Sequence, residues 1–87
     1  MSFTLKISDK ARKHLEKLDQ PVRKLILNWL NKNIQGTDNP RSKGRGLVGD
    51  HSGEWRYRVG KYRIIVDICD NELIVLVITV GHRKNVY

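Results

Sequence analysis

The fold is decided by residues 55–69, which read WRYRVGKYRIIVDIC. Apolar and polar side chains alternate on both sides of Gly60-Lys61, and a period of two is typical of β-strands with one buried face. A two-residue loop with glycine first suits a type II′ turn. The stretch therefore predicts a β-hairpin with strands at about Trp55–Val59 and Tyr62–Cys69.

The predicted turn fixes which side chains face one another across this hairpin. It pairs Arg58 with Arg63, Tyr57 with Ile64, Arg56 with Ile65, and Trp55 with Val66, which places three arginines on one face: Arg56, Arg58 and Arg63. Like charges directly opposite each other in a sheet cost a few tenths to about 1 kcal/mol. Such a cluster is explained if it binds phosphate, because guanidinium groups hold phosphate oxygens bidentately.

The alternative interpretation of this arginine face is a solvated surface without a ligand. In that case the arginines would pair with the nearby acids Asp67 or Glu54.

The opposite face of the hairpin is the expected core face. It holds Trp55, Tyr57, Val59, Tyr62, Ile64 and Val66.

Towards the N-terminus the pattern changes from a strand to two helices. Residues 3–7 alternate and predict a short strand, after which Ser8 is a good N-cap for a first helix. Pro21 fits the first position of a second helix. Its apolar residues recur at helical spacing, at positions 22, 25, 26, 29, 30 and 34. The short gap between the helices predicts an antiparallel helical hairpin.

Residues 35–53 contain five of the seven glycines and predict a long loop, with a short strand at Leu47-Val48. Loops of this length in compact domains are usually functional or mobile. A last strand is expected at about residues 73–80, but both of its faces are apolar, so the pattern leaves its register open. The predicted order is β-α-α-β-β-β. This is an α+β fold in which an N-terminal strand and a helical hairpin pack on a mostly antiparallel four-stranded sheet, in one domain spanning residues 1–87.

Composition points to an anionic partner. The 87 residues include 17 Lys+Arg against 9 Asp+Glu, a net charge of +8 with a pI near 10.0. Nucleic acid, an acidic protein or a membrane surface would each attract such a domain. The single Cys69 excludes an internal disulfide and a cysteine-based zinc site, and the histidines lack metal-ligand spacing, so neither a metal nor a cofactor is expected. No stretch approaches 18 apolar residues, and we expect a cytoplasmic protein without a membrane span.

Several motifs together resemble the RelE branch of the RelE/ParE toxin superfamily. They are Asn39-Pro40-Arg41, Leu47-Val48-Gly49, WRYRVGKYRIIVDI at 55–68 and VGHRKNVY at 80–87. The resemblance implies a ribosome-dependent endoribonuclease that cleaves mRNA in the A site. In that reaction the ribose 2′-OH attacks the adjacent phosphate and leaves a 2′,3′-cyclic phosphate and a free 5′-OH, without a metal.

The resemblance also implies which residues form the site. The positions that match the family's site are Arg56, Arg58, Arg63, Arg83 and Tyr87. His82 joins these catalytic candidates as the nearby side chain that titrates near neutrality. Tyr87 matches a tyrosine placed to stack on the target base. Family members often carry lysines at the positions of Arg56 and Arg58, and arginine stays protonated, so the base is expected at His82 or Tyr87.

Further basic residues are candidates for RNA binding, together with the basic helices. They are Arg41, Lys43, Arg45, Lys61 and Lys84. The implied partners are the ribosome, mRNA and an acidic RelB-like antitoxin through which the complex would bind operator DNA. Two alternatives stay open: a ParE-like toxin that inhibits DNA gyrase without cleaving RNA, and a non-catalytic RNA-binding module. The arginine face, Arg83 and Tyr87 argue for the nuclease.

Overall fold

A computed structural model describes residues 1–46 and 54–82. Its elements are β1 (Thr4–Ile7), α1 (Asp9–Glu16), α2 (Gln20–Asn33), a 3-10 turn (Pro40–Ser42), β2 (Arg45–Gly46), β3 (Trp55–Val59), β4 (Tyr62–Cys69) and β5 (Ile74–His82). The expected strand at Leu47-Val48 and the expected site residues Arg83, Lys84 and Tyr87 lie outside the described residues. Neither α1 nor α2 is long and apolar enough to cross a membrane.

The strands form one mixed sheet in the order β1-β5-β4-β3-β2. β1 runs parallel to β5, and the other neighbours are antiparallel. The predicted α+β fold is confirmed, but the sheet has five strands where four were expected. The additional strand is β2, whose two residues pair with the start of β3.

The β3–β4 hairpin has the register that the sequence predicts. Arg58 lies opposite Arg63, Tyr57 opposite Ile64 and Trp55 opposite Val66. Gly60 has a φ of 58°, which a glycine adopts at the first position of a type II′ turn without steric cost. The turn thus sets the register, and the register separates a core face from an arginine face.

Both helices pack on the core face of the sheet. The Ser8 hydroxyl accepts a hydrogen bond from the Ala11 amide at 3.1 Å and caps α1, as predicted. α2 begins at Gln20, so Pro21 occupies its second position, one residue later in the helix than expected. The shared core consists mainly of Ala11, Leu15, Ile26, Leu30, Ile34, Tyr57, Val59, Ile64, Val66, Val75, Val77 and Val80.

A β-bulge at Ile78 decides which residues of β5 face this core. Ile65 pairs with Thr79 while Val66 pairs with Val77, so Ile78 has no partner of its own in the register. The bulge reverses the alternation, and Val80 therefore joins the core although strict alternation from Val77 would turn it away. A period of two in the sequence carries no sign of this shift.

Helix α1 provides hydrogen bonds to the backbone at the bulge. The Ser8 hydroxyl donates to the Ile78 carbonyl at 3.4 Å, and the Ser8 amide donates to the Val77 carbonyl at 3.0 Å. The Val80 amide donates to Nδ1 of His14 at 3.2 Å, which requires a neutral imidazole with an unprotonated Nδ1. The first helix is thereby fixed to the irregular point of β5.

The last strand also begins and ends at different residues from those expected. The sequence pattern predicts Leu73 in the strand, but Leu73 has a φ of 55° and closes a turn over residues 70–73. Its side chain packs against the core. β5 starts at Ile74 and continues to His82, two residues beyond the expected end at Val80.

The fold should become less stable as the pH falls, because His14 accepts its hydrogen bond only when it is neutral. Burial, Lys10 and Lys17 lower the pKa of His14 below its ordinary value of 6.5. The unfolded chain therefore binds a proton at a higher pH than the folded chain, so this contribution is complete above pH 6.5 and is lost as the pH falls through the lowered pKa. His14→Asn retains an acceptor but does not titrate. Between about pH 7.5 and about pH 5, urea unfolding should show the wild type losing more stability than His14→Asn, because only the wild type binds a proton at this position on unfolding. Equal losses would contradict the role of His14.

Candidate functional site

Four arginines come together on the sheet face that points away from the helices. Arg45 of β2 lies opposite Arg56 of β3, and Arg58 of β3 lies opposite Arg63 of β4. We call these four residues the arginine cluster. With Gly44 they line a cleft of about 430 Å³. The arginine face predicted from the hairpin is thus present, and β2 adds Arg45 to it.

The positive charge of the cluster is not neutralised by the acids around it that the structure describes. Within residues 1–46 and 54–82, none of its members forms an ion pair. Asp67 lies on the same face of β4, but it is exposed to solvent and forms no ion pair with the arginines. Burial, together with the charges of Arg63, Arg45 and Arg58, lowers the pKa of Arg56. An arginine still stays protonated under these conditions, so the cleft concentrates positive charge.

Two aromatic residues of β3 position the loop that carries Arg45. The Trp55 indole donates to the Lys43 carbonyl at 2.6 Å, and the Tyr57 hydroxyl donates to the Pro40 carbonyl at 2.6 Å. Tyr57 is completely buried, and burial raises its pKa to about 12, so the hydroxyl keeps its proton. The described part of the predicted long loop is therefore fixed to the sheet.

Gly44 allows this loop to approach the sheet closely. Its φ is 78°, a left-handed conformation that L side chains rarely adopt. A Cβ atom at this position would collide with the backbone oxygen of Arg56 and would lie 2.9 Å from the indole nitrogen of Trp55. The position of Arg45 beside Arg56 thus depends on a glycine that the sequence analysis did not single out.

Arg41 forms an ion pair with an acid of the same chain. Its guanidinium donates two hydrogen bonds to the Asp70 carboxylate, at 2.9 and 2.8 Å. Hydrogen bonding between them raises the pKa of Arg41 and lowers that of Asp70. The pair joins the 3-10 turn to the turn between β4 and β5. Lys43 and Lys61 are exposed and carry no such pair, and Arg45, the remaining described RNA-binding candidate, belongs to the arginine cluster.

The structure does not bring His82 together with the arginine cluster. His82 lies opposite Tyr62 on the helix side of the sheet, with ring centroids 5.5 Å apart at an angle of 79°. There it lines a separate groove of about 490 Å³ with His14 and Lys17. The bulge at Ile78 causes this placement, because uninterrupted alternation along β5 would put His82 on the arginine side.

Comparison with known proteins identifies the family. The sequence-family model for the ParE toxin of type II toxin–antitoxin systems (parDE) matches residues 5–87. The chain belongs to this toxin family. The RelE/ParE superfamily expected from the motifs is confirmed, and the protein is a toxin of a toxin–antitoxin system.

Individual relatives carry RelE-type names. Toxin RelG of Mycobacterium tuberculosis (strain ATCC 25618 / H37Rv) is 25% identical over 87 residues, which cover 100% of this chain and 98% of that toxin. A RelE-like toxin protein of Escherichia coli is 26% identical over 84 residues, covering 97% and 86% of the two chains. The fold is similar to that of a chain in the crystal structure of the toxin–antitoxin complex RelBE2 from Mycobacterium tuberculosis. That match has a TM-score of 0.81 and 24% identity, and covers 95% of this chain and 100% of the other.

Gly44→Ala should destabilise the fold far more than the same change at Gly36. Both glycines have a φ of 78°, but an added Cβ at Gly36 meets nothing within 4 Å. Gly36→Ala should therefore cost only the conformational strain, about 1 kcal/mol, and Gly44→Ala at least about 2 kcal/mol because the loop must also move. Chemical unfolding of the two variants measures the difference, and equal costs would show that the loop can shift freely.

Arg58→Thr should stabilise the toxin by relieving repulsion from Arg63. The expected gain in the free energy of unfolding is a few tenths to about 1 kcal/mol at low salt, and it should shrink as salt screens the wild-type repulsion. Lys6→Thr is the matched control, since Lys6 is an exposed strand residue of β1 that faces Leu76. Urea unfolding at two salt concentrations tests this. A gain that is equal in both variants and insensitive to salt would refute repulsion within the cluster.

Proposed function

We propose that this toxin is a ribosome-dependent endoribonuclease that cleaves mRNA in the ribosomal A site. The observation that carries the proposal is the arginine cluster, four cations held side by side on neighbouring strands without an acid partner among the described residues. Such an arrangement costs folding stability and is suited to a phosphate group. The RelE-type names of its relatives support the same activity.

The proposed reaction is the attack of a ribose 2′-OH on the adjacent phosphodiester. Negative charge then develops on the phosphorus oxygens, and the 5′-oxygen departs as a free hydroxyl. Arg58 and Arg63, directly opposite each other, would donate hydrogen bonds to the two non-bridging oxygens. Donors on packed strands need little reorganisation, because Tyr57 and Ile64 directly behind this pair are fully buried.

The proton transfers need groups other than these arginines, which stay protonated. The proposal gives the base to Tyr87 rather than to His82, since the His82 ring packs against Tyr62 on the opposite face of the sheet. Arg83 would complete the phosphate grip. The roles of Arg83 and Tyr87 come from the resemblance of the segment at 80–87.

The proposed surroundings of the site follow from its charge. Lys43, Lys61 and Lys84, with the basic helices, would contact ribosomal RNA with an affinity that falls with salt. The ribosome would supply the orientation of the mRNA that a site with so few acid–base groups requires. A toxin that acts on translating ribosomes would work in the cytoplasm. A RelB-like antitoxin, as in the RelBE2 complex to which the fold is similar, would inhibit it and hold the complex on operator DNA.

A second candidate is inhibition of DNA gyrase without RNA cleavage. It is favoured by the match to the ParE family model. The third candidate is a non-catalytic RNA-binding module. If this candidate is correct, changing Arg83 or Tyr87 should weaken RNA binding and any observed cleavage to the same extent, whereas the nuclease should lose cleavage and keep its binding. The experiment below separates all three.

Primer extension on a defined mRNA in a reconstituted translation system should show cuts in the A-site codon only when ribosomes are present. Arg63→Ala should slow cleavage by about 100- to 1,000-fold, the loss typical of removing one donor to a developing anion. Lys6→Ala is the matched control because it removes one positive charge from an exposed position on β1, outside the arginine cluster and the helices. It should cleave at nearly the wild-type rate.

Ribosome binding by the same variants completes the test. Arg63→Ala should still sediment with ribosomes if its defect lies in the chemical step. Intact mRNA with the wild-type toxin would refute the nuclease, and gyrase inhibition by the same preparation would establish the second candidate. Equal losses of binding and cleavage would instead favour an RNA-binding module.

A further inference from the structure

The helix side of the sheet carries a groove that the proposed reaction does not use. The groove has a volume of about 490 Å³ and lies between the C-terminal end of α1, the start of β4 and the end of β5. The sheet separates it from the cleft of the arginine cluster on the opposite face. A volume in the range of about 300–1,000 Å³ is typical of sites for small organic ligands.

Two aromatic rings form the sheet side of this groove. The rings of Tyr62 and His82 are nearly perpendicular, with centroids 5.5 Å apart and an angle of 79° between their planes, and both residues are half-buried. Such a pair forms a corner in which a third flat ring can stack on one ring and direct its edge at the other. Leu18, also half-buried, adds apolar surface to the groove. This side of the groove is suited to a flat aromatic group.

The helix side of the groove offers hydrogen-bond donors and positive charge. Lys17 is exposed at the C-cap of α1 and forms no ion pair with a described acid. Nδ1 of His14 accepts from the Val80 amide, so the neutral imidazole carries its hydrogen on Nε2 and can donate from there. Burial and the charges of Lys10 and Lys17 lower the pKa of His14, which shows that the potential here is positive. No acid is among the described residues that line the groove.

We propose that this groove binds a nucleotide, with its base against Tyr62 and His82 and its phosphate at Lys17 and His14. Stacking accepts any base, because every base has a π-face, so the groove should bind nucleotides with little regard to sequence. A free mononucleotide and an unstacked residue of ribosomal RNA present this same chemistry. The inference goes beyond the proposed nuclease and does not depend on it. A ribosomal nucleotide in the groove would hold the toxin from the side opposite the arginine cluster.

NMR titration of the isotope-labelled toxin with adenosine 5′-monophosphate tests the site. The amide signals of Tyr62 and Val80 should shift and reach saturation. Ribose 5-phosphate, which lacks the base, should bind about 5- to 150-fold more weakly, the loss typical of removing one base-stacking contact. Equal binding of the two compounds, shifts confined to the arginine cluster, or no saturation would overturn the proposal.

Two substitutions at Tyr62 test the role of the ring. Tyr62→Phe keeps the ring and should bind adenosine 5′-monophosphate as the wild type does, whereas Tyr62→Leu should lose about 5- to 150-fold in affinity. Thermal unfolding verifies that both variants are folded, and His82→Leu takes the place of Tyr62→Leu if that variant is not. Equal affinities of the phenylalanine and leucine variants would show that no base stacks there and would overturn the proposal.

Charge reversal on α1 tests the phosphate end of the groove. Lys17→Glu should weaken the binding of adenosine 5′-monophosphate about 5- to 30-fold at low salt, because an attraction is replaced by a repulsion of similar size. Lys13→Glu is the matched control, since Lys13 is an exposed lysine of the same helix that does not line the groove. It should change the affinity less than about threefold. Equal losses would indicate a general attraction to a basic helix and refute the site.

Ribosome sedimentation with the Tyr62 variants distinguishes the two sources of the nucleotide. If the ligand is a residue of ribosomal RNA, Tyr62→Leu should sediment less with ribosomes than Tyr62→Phe, and added adenosine 5′-monophosphate should reduce sedimentation of the wild type. Equal sedimentation by variants that differ in nucleotide affinity would assign the groove to a free nucleotide.

The two proposals can fail separately. Saturable nucleotide binding in the groove of a toxin that cleaves no mRNA would refute the nuclease and leave the groove intact. Cleavage by a toxin that binds no nucleotide there would refute the groove alone. If the amides of Tyr62 and Val80 instead respond only to added antitoxin, the groove belongs to the antitoxin interface and the proposal is overturned.

Discussion

The bulge at Ile78 and the hydrogen bonds that α1 makes to it are the constraint on which the rest of the structure depends. β5 lies between β1 and β4, so a shift in its alternation changes which residues meet the helices. The extra residue of a bulge interrupts the hydrogen-bond ladder between the strands. Backbone N–H and C=O groups left without a partner in the core would lower the stability of the fold. Ser8 and His14 supply partners for this backbone. The short helix α1 thus determines which residues of β5 enter the core. It also fixes its own position and the face of the sheet on which His82 lies.

The arginine cluster is held by groups that do not themselves touch a phosphate. Tyr57 and Trp55 point away from the cluster, yet their hydrogen bonds fix the loop that carries Arg45. Gly44 lets that loop come close enough for Arg45 to lie opposite Arg56. This packing opposes the electrostatic repulsion among the four arginines. The stability of the β3–β4 hairpin therefore keeps their positive charges close together.

The sequence was sufficient for the parts that a local pattern determines. The β3–β4 register followed from one two-residue turn and strict alternation, and with it came the facing pair Arg58 and Arg63. β5 could not be placed in the same way, because both of its faces are apolar and a bulge leaves no trace in the periodicity. The position of Arg45 depends on hydrogen bonds between residues 12 and 17 apart in the chain, which no short pattern reveals. His82 was grouped with the arginines by proximity in sequence, and the bulge separates them.

The parallel pairing of β1 with β5 has a consequence for how the toxin is made. Thr4 pairs with Ile74 and Ile7 with Val77, so the first strand cannot pair until residues 74–77 have been synthesised. Contacts between such distant residues form late, because a long loop has to close before they are gained. A nascent chain that has not yet reached Ile74 contains both helices and the β3–β4 hairpin but lacks the strand that joins them to β1. Translation that stops before Ile74 therefore yields a fragment whose core lacks Val75, Val77 and Val80 and whose first strand has no strand to pair with.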